Sequence, residues 1–226
     1  MLSRLRQVAA GALAVRSLIL VISIPGTSNA VEFLVSDQNG DALANAVVTV
    51  NTVRSADVRS GTEELVIVEQ RGQQFHPRVT VIPPGSAVRF PNRDLTQHHV
   101  YSFSQAKAFE IELYGGDEPA PVLFEEPGIV SLGCNIHDWM LGYIYVTPDD
   151  LFAISSDEGF AQIQADVSDI QSVTVWHPGI EKSTPVTLAA NQLPPKSSNK
   201  IELVVRIPSG DPLQAETDPL QGLFED

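Results

Sequence analysis

The sequence predicts an all-β protein. Short extended segments rich in Val, Ile, Thr and aromatic residues recur along the chain, and clusters of Gly, Pro, Asn and Asp separate them. No stretch shows the sustained apolar period of an amphipathic helix. Strands in series without intervening helices favour antiparallel sandwiches or barrels.

Residues 1–30 have the composition of an export signal. Basic residues at the start precede a short apolar run over 17–24, and small residues end the segment at Ala30. The apolar run is shorter than the roughly 20 residues that span a bilayer. We therefore expect a signal peptide cleaved near Ala30, with an uncleaved N-terminal anchor as the alternative. No later segment is apolar enough to predict a membrane span in the mature chain.

The charge of the chain is strongly negative. Lys and Arg number 14 and Asp and Glu number 28, which gives a formal net charge of −14. Residues 1–30 contain three of the basic residues and no acidic ones, so the mature chain has 11 − 28 = −17. This charge argues against nucleic acid as a partner, because phosphate binding needs a basic surface. The charge fits a protein that meets basic or dipolar partners.

Residues 63–150 carry eight predicted strands. They cover residues 64–68, 78–82, 87–90, 99–103, 108–113, 121–124, 129–132 and 143–146. Turns that contain Gly or Pro separate most of them. This spacing predicts an antiparallel sandwich or barrel over 63–150.

The segments on either side of this unit, residues 31–62 and 151–207, contain further strands. They are predicted at 31–35, 46–53, 151–154, 160–165, 172–176, 184–188 and 200–207. Residues 35–50, 155–160 and 173–176 resemble the opening and middle of carboxypeptidase-regulatory-like sandwiches. The resemblance implies one smaller Ig-like β-sandwich interrupted by the middle unit, with two separate small units as the alternative. Residues 208–226 are predicted to form an acidic flexible tail.

Cys134 is the only cysteine of the chain, so an internal disulfide is excluded. A lone thiol is unfavourable in the oxidising compartment of an exported protein, unless it forms a disulfide between chains or binds a metal. His137 follows three residues later and Met140 three residues after that. A thiolate, an imidazole and a thioether on one short segment are a ligand set that suits copper.

A second imidazole must come from a distant segment, and His98 and His99 supply the candidates. Neighbouring strand residues face opposite ways, so only one of them can point at the cysteine segment. A zinc site would need a fourth firm ligand, and no second cysteine exists to provide it. A cysteine nucleophile with His137 as its base has poor geometry on so short a segment. A buried apolar thiol with Met140 as core packing is the remaining alternative.

The pattern C-x2-H-x2-M, followed by Gly and a strand and preceded by N-x5-H-x-V, resembles the cupredoxins. The spacing within the loop is that of amicyanin, and the pattern is also similar to plastocyanin-like exported proteins labelled methylamine utilisation proteins. The resemblance implies an eight-stranded Greek-key sandwich over 63–150. It also implies one type 1 copper ion bound by His98, Cys134, His137 and Met140. His99 stands where the family usually has Asn, which leaves open whether His99 perturbs or replaces His98.

The resemblance further implies a periplasmic carrier of single electrons and not an enzyme. Its expected partner is a redox protein such as a c-type cytochrome or a periplasmic dehydrogenase, with the ring of His137 as the electron exit. Trp139 lies between two expected ligands and either lines a docking patch there or packs against the sandwich. The alternative function is a copper-binding or delivery protein that shuttles no electrons. A third alternative is an adhesion-like module in which copper only stabilises the fold.

Overall fold

The computed structural model describes residues 30–53, 65–116, 119–149, 151–180, 184–193 and 200–208. The predicted all-β class is confirmed: apart from a single 3-10 turn at Val167–Asp169, the regular elements of these ranges are strands. The predicted signal peptide, up to residue 29, and the predicted tail from residue 209 lie outside the described residues. No helix in the described ranges is long and apolar enough to cross a membrane.

The strands are numbered in chain order. They are β1 (Ala30–Asp37), β2 (Val47–Thr52), β3 (Leu65–Ile67), β4 (Glu69–Gln70), β5 (Phe75–His76), β6 (Val79–Ile82), β7 (Ser86–Arg89), β8 (His98–Ser104), β9 (Lys107–Tyr114), β10 (Val122–Phe124), β11 (Gly128–Cys134), β12 (His137–Val146), β13 (Leu151–Ile154), β14 (Phe160–Gln164), β15 (Ile170–Trp176), β16 (Val186–Ala189) and β17 (Lys200–Val205).

One β unit is built from strands at both ends of the chain. Strand β1 pairs antiparallel with β14 and parallel with β17, and β2 pairs antiparallel with β13 and β15. Strand β16 extends the second sheet beside β15. Alternate residues of β1, namely Val31, Phe33 and Val35, are fully buried, as period-2 alternation requires of a strand with one face in a core. The strands before the middle segment therefore share a core with the strands after it.

The middle segment forms a second unit with its own core. A five-stranded sheet in the order β6-β12-β11-β8-β9 faces a three-stranded sheet in the order β10-β7-β3. The core between them includes three phenylalanines, Phe75, Phe90 and Phe124, which are at most 1% exposed. All eight strands predicted for this segment are present. The two-residue strands β4 and β5 are additional, and they are too short to give a periodic signal in sequence.

The segment that holds Cys134 is a hairpin and not an open loop. The sequence predicted a strand only from residue 143, but β12 begins at His137. Cys134 pairs directly with His137, and a two-residue turn joins β11 to β12. Asn135 lies in that turn, as its turn preference predicts, whereas Asp138 lies in β12. Through this pairing, Cys134 and His137 face each other on adjacent strands.

The second half of strand β12, residues 142–146, is buried on both of its faces. Met140 and Ile144 point into the core of the middle unit, where they are 0% exposed. Tyr143 and Tyr145 point the other way, into the core of the outer unit. Their rings lie 5.5 and 5.8 Å from the ring of Trp176, which is fully buried. The strand that begins at His137 is thus held by both units.

Candidate metal centre

Three of the four predicted metal ligands meet at one end of the middle unit. His98 opens β8, Cys134 ends β11 and His137 opens β12. Strands β8 and β12 flank β11 in the sheet, so the three side chains converge from neighbouring strands. His98 and Cys134 are 0% and 3% exposed, while His137 is only half-buried. The ligand atoms of these residues all lie within 4.8 Å of one another.

The spacing of these atoms fits a single metal ion. A metal with bonds of about 2.3 Å to sulfur and about 2.0 Å to nitrogen, at a bond angle of about 120°, separates S and N by about 3.7 Å. The Cys134 Sγ atom lies 3.8 Å from Nδ1 of His98 and 3.6 Å from Nδ1 of His137. The two observed distances bracket the expected one. A thiolate and two imidazoles are ligands that copper accepts in both of its common oxidation states.

Met140 lies on the inner face of β12 and is fully buried. It belongs to the same apolar cluster as Cys134 and Leu132. Because Met140 and Cys134 belong to one buried cluster, the thioether enters the same core as the cysteine. This location is compatible with a weak axial ligand and equally with core packing.

The ring of His98 is oriented by a residue that sequence patterns did not single out. Nε2 of His98 lies 2.8 Å from a carboxylate oxygen of Asp94. A carboxylate only accepts hydrogen bonds when ionised, so Nε2–H donates and Nδ1 is left with a free lone pair toward Cys134. This carboxylate–histidine pairing is a common support for metal-ligating imidazoles.

The Asp94 carboxylate is itself fixed by the backbone. The N–H groups of Gly72 and Gln73 donate to its two oxygens at 2.7 and 2.9 Å. Partial burial raises the pKa of Asp94, but the N–H groups of Gln73 and Gly72 and the His98 ring outweigh it, so the pKa lies below its usual range. Asp94 is therefore an anion held in place. The short turn β4–β5 positions it, because that turn presents the two N–H groups.

The segment before β8 is shaped by Asn92. Its side-chain oxygen accepts the N–H of Asp94 at 2.8 Å, and its amide donates to the carbonyl of Thr96 at 2.8 Å. This is the hydrogen bonding of an Asx turn. The Asn and Asp spaced two apart before the histidine pair are the sequence signal that would have pointed to Asp94.

His99 faces away from this cluster. Its Nε2 lies 2.8 Å from a carboxylate oxygen of Glu110 on β9, and its ring centroid lies 5.6 Å from that of Tyr101. Consecutive residues of β8 point to opposite faces of the sheet. Of the two neighbouring histidines, His98 is the one whose ring reaches Cys134.

His137 reaches the surface among apolar side chains. Its ring centroid lies 4.9 Å from His98 on the inner side and 5.5 Å from Trp139 on the outer side. Trp139 and Ile136 are about half exposed, and Leu95 is fully exposed. Trp139 therefore lies at the surface beside His137, and it is not packed inside the sandwich.

The comparisons with known proteins found similarity only among solved structures. No protein-family model matches this chain, and no curated protein matches it either. The copper-containing nitrite reductase from Thermus scotoductus SA-01 is 26% identical over 43% of this chain and 25% of the reductase, with a TM-score of 0.36. The chain thus spans about a quarter of that enzyme.

Two amicyanin structures overlap a similar share of the chain. A reduced point mutant of amicyanin is 19% identical over 44% of this chain and 98% of amicyanin, with a TM-score of 0.35. Amicyanin from Paracoccus versutus is 24% identical over 44% of this chain and 97% of its own, with a TM-score of 0.34.

Proposed function

We propose that this chain is an exported type 1 copper protein that carries single electrons between redox partners. The observation that carries the proposal is the convergence of the Cys134 thiol with Nδ1 of His98 and of His137, at separations that suit one metal ion. We propose Met140 as the fourth, axial ligand because it enters the same core. We propose that the site binds one copper ion.

The donor set favours copper over other metals. Cu(I) prefers sulfur and Cu(II) prefers nitrogen, so a site with one thiolate, two imidazoles and a weak thioether serves both oxidation states. Copper bound there would supply one-electron exchange between Cu(I) and Cu(II). The residues contribute rigidity: His98 is held by Asp94, and Cys134 and His137 are held by the ladder between β11 and β12.

The arrangement suits a carrier better than an enzyme. Four protein ligands would leave no open position for a substrate, and His98, Cys134 and Met140 are all buried. His137 alone among the four approaches the surface. We therefore propose its outer edge as the place where electrons enter and leave.

The surface around His137 suggests how a partner docks. Trp139, whose ring centroid lies 5.5 Å from that of His137, and Ile136, the residue before His137, present exposed apolar side chains there. The net charge of the chain, −14, would attract a basic partner over long distance, with a rate that falls as salt screens the field. A c-type cytochrome or a periplasmic dehydrogenase is the class of partner proposed, and the periplasm is the proposed location.

We also propose the domain boundaries on the basis of strand pairing. Residues 31–62 and 151–207 would form one Ig-like unit, and residues 63–150 the copper unit inserted into it. The pairing of β1 with β14 and β17 supports this division. Residues 54–64, where the first boundary falls, lie outside the described residues.

Voltammetry of the copper-loaded mature chain tests the proposed function. A carrier gives a reversible one-electron wave, and stopped-flow mixing with ascorbate reduces it within seconds without loss of metal. Rapid copper transfer to an apo acceptor protein, with slow or irreversible reduction, would instead favour the delivery function. Retention of copper through repeated oxidation and reduction separates the two.

A further inference from the structure

Asp94 receives its backbone hydrogen bonds from a tight turn between β4 and β5. Gly72 and Gln73 are the central residues of that turn, and their φ angles are +62° and +58°. Positive φ at both positions is the backbone of a type I′ turn. The two N–H groups of the turn reach the Asp94 carboxylate at 2.7 and 2.9 Å. The orientation of His98 therefore depends on how the turn is aligned with the segment that carries Asp94, residues 90–94.

Gln70, the last residue of β4, sets this alignment through its backbone. Its N–H donates to the carbonyl of Pro91 at 2.9 Å, and its carbonyl accepts the N–H of Arg93 at 2.8 Å. The two bonds lie on either side of Asn92, with which Gln70 forms a parallel bridge. Asp94 follows this bridge by two residues on one segment, and the turn follows it by two residues on the other. The carboxylate and its two donors are thus brought together from one point.

The side chain of Gln70 ties the 90–94 segment to the strand that pairs with His98. It is fully buried, and its Nε2 donates to the carbonyl of Phe90 at 3.1 Å and to the hydroxyl of Tyr114. A carbonyl only accepts hydrogen bonds, so the atom that faces Phe90 is Nε2 and not Oε1. The Tyr114 hydroxyl also donates to the Phe90 carbonyl, at 2.5 Å. Tyr114 lies opposite His98 in the ladder between β8 and β9.

This arrangement lowers the stability of the fold. The Oε1 atom of Gln70 is buried and has no hydrogen-bond partner among the described residues. An unsatisfied buried acceptor destabilises the folded state, and a methionine of similar volume would avoid that loss. Gln73 adds a left-handed backbone conformation, which residues other than glycine seldom adopt. Local features that cost stability are expected where a site has to be positioned, more than in a core that is selected for packing.

We propose that Gln70 is a positioning residue for the metal centre. Its amide holds the 90–94 segment against Tyr114, so that the Asp94 carboxylate meets Nε2 of His98 before a metal arrives. Gln70 acts through Asp94, and Tyr114 is its partner in this role. The inference rests on the proposed function where it concerns copper, but the orientation of His98 is a property of the metal-free chain.

Gln70→Met tests the proposal because it removes the amide and nearly keeps the volume of the side chain. In the metal-free mature chain, labelled with nitrogen-15, the imidazole shifts of His98 report which ring nitrogen carries the proton. The parent chain should show a single tautomer, with the proton on Nε2. Gln70→Met should show both tautomers, and the amide protons of Gly72 and Gln73 should exchange with solvent about tenfold faster. An unchanged tautomer and unchanged exchange in a folded Gln70→Met chain would overturn the proposal.

Tyr114→Phe is the second variant, since it removes only the hydroxyl that the Gln70 amide contacts. It should change the tautomer of His98 in the same direction. The double variant should change it no more than Gln70→Met alone does, because residues of one hydrogen-bond network are not additive. A single tautomer in Tyr114→Phe would overturn the proposal, also where Gln70→Met fails to fold.

Gln38→Met is the matched control. The Gln38 amide makes two hydrogen bonds to the backbone as well, but to Ile207 in the outer unit, at 2.8 Å each. Loss of these bonds should lower the unfolding temperature and leave the tautomer of His98 unchanged. A mixture of tautomers in Gln38→Met would show that any loss of stability disturbs the site, and it would overturn the specific role of Gln70.

Copper affinity is an independent measurement. Gln70→Met should bind Cu(II) about tenfold more weakly in competition with a chelator, at the lower end of the range for partners that support a ligand. Equal affinities in Gln70→Met and the parent chain would overturn the role at the metal centre. Failure of the parent chain to bind copper would contradict the proposed function, while the imidazole shifts would still decide whether Gln70 orients His98.

Discussion

The carboxylate of Asp94 accepts a hydrogen bond from Nε2 of His98 at 2.8 Å, and so determines which nitrogen of that ring faces Cys134. The carboxylate is held by the N–H groups of Gly72 and Gln73, which makes the orientation of His98 a property of the fold. A ligand that is oriented before the metal arrives loses less entropy on binding.

Asp94→Asn is therefore expected to weaken copper binding without unfolding the chain. The amide can donate as well as accept, so it no longer imposes one tautomer on His98. Loss of such a supporting partner typically lowers metal affinity by about 10- to 100-fold. Competition with a chelator measures the affinity. Asp157→Asn, an exposed carboxylate of the outer unit, is the matched control, and equal affinities in the two variants would argue against the role of Asp94.

His98 and His99 are expected to respond in opposite ways to alanine substitution. His98→Ala removes a nitrogen 3.8 Å from Cys134 Sγ, so the visible band of the Cu(II) chain should disappear or change its position strongly. His99→Ala removes only the contact with Glu110 on the far face of the strand, so the band should persist. Absorption spectra of the two variants at stoichiometric Cu(II) decide between them. A band that survives only in His98→Ala would reverse the assignment.

Gly142→Ala is expected to destabilise the middle unit. A Cβ at residue 142 would lie 2.8 Å from Cβ of Phe75 and 3.0 Å from its ring, and Phe75 is buried. Overpacking of this kind costs about 1–3 kcal/mol of unfolding free energy. Urea denaturation followed by fluorescence measures the change. Gly116→Ala, where a Cβ meets no atom within 4 Å, should leave the midpoint nearly unchanged, and equal midpoints for both variants would contradict the packing argument.

Trp176→Ala is expected to destabilise the metal centre as well as the outer unit in which it lies. Tyr143 and Tyr145 pack on Trp176, and they belong to the strand that begins at His137. Loss of a buried tryptophan costs about 3–5 kcal/mol. The temperature at which the copper band disappears should fall together with the far-UV transition. Phe152→Ala is the control, and a copper band with unchanged thermal stability in Trp176→Ala would show that the two units unfold independently.

The sequence predicts the strands well because their signal is local. Alternation and turn residues locate the eight strands of the middle segment, and the spacing from Cys134 to Met140 predicts that the hairpin holds metal ligands. The start of β12 at His137 could not be predicted in this way, because Asn135 and Asp138 both favour a turn. Asn135 lies in the turn, but Asp138 lies in β12.

Long-range contacts are the part that local patterns do not specify. Asp94 is recruited by two N–H groups from a turn about twenty residues away, and no period or spacing reveals that pairing. Tyr143 of the middle unit packs against Trp176 of the outer unit. This contact depends on which face of β12 the outer unit covers. The choice between His98 and His99 depends on the register of strand β8. The sequence alone left both residues as candidates.

The visible absorption spectrum of the purified mature chain with one equivalent of Cu(II) tests the proposed centre most directly. The account predicts an intense thiolate-to-copper band that ascorbate bleaches and that Cys134→Ser lacks, since the sulfur supplies the transition. A chain that stays colourless with Cu(II), or a band that survives Cys134→Ser, would contradict it.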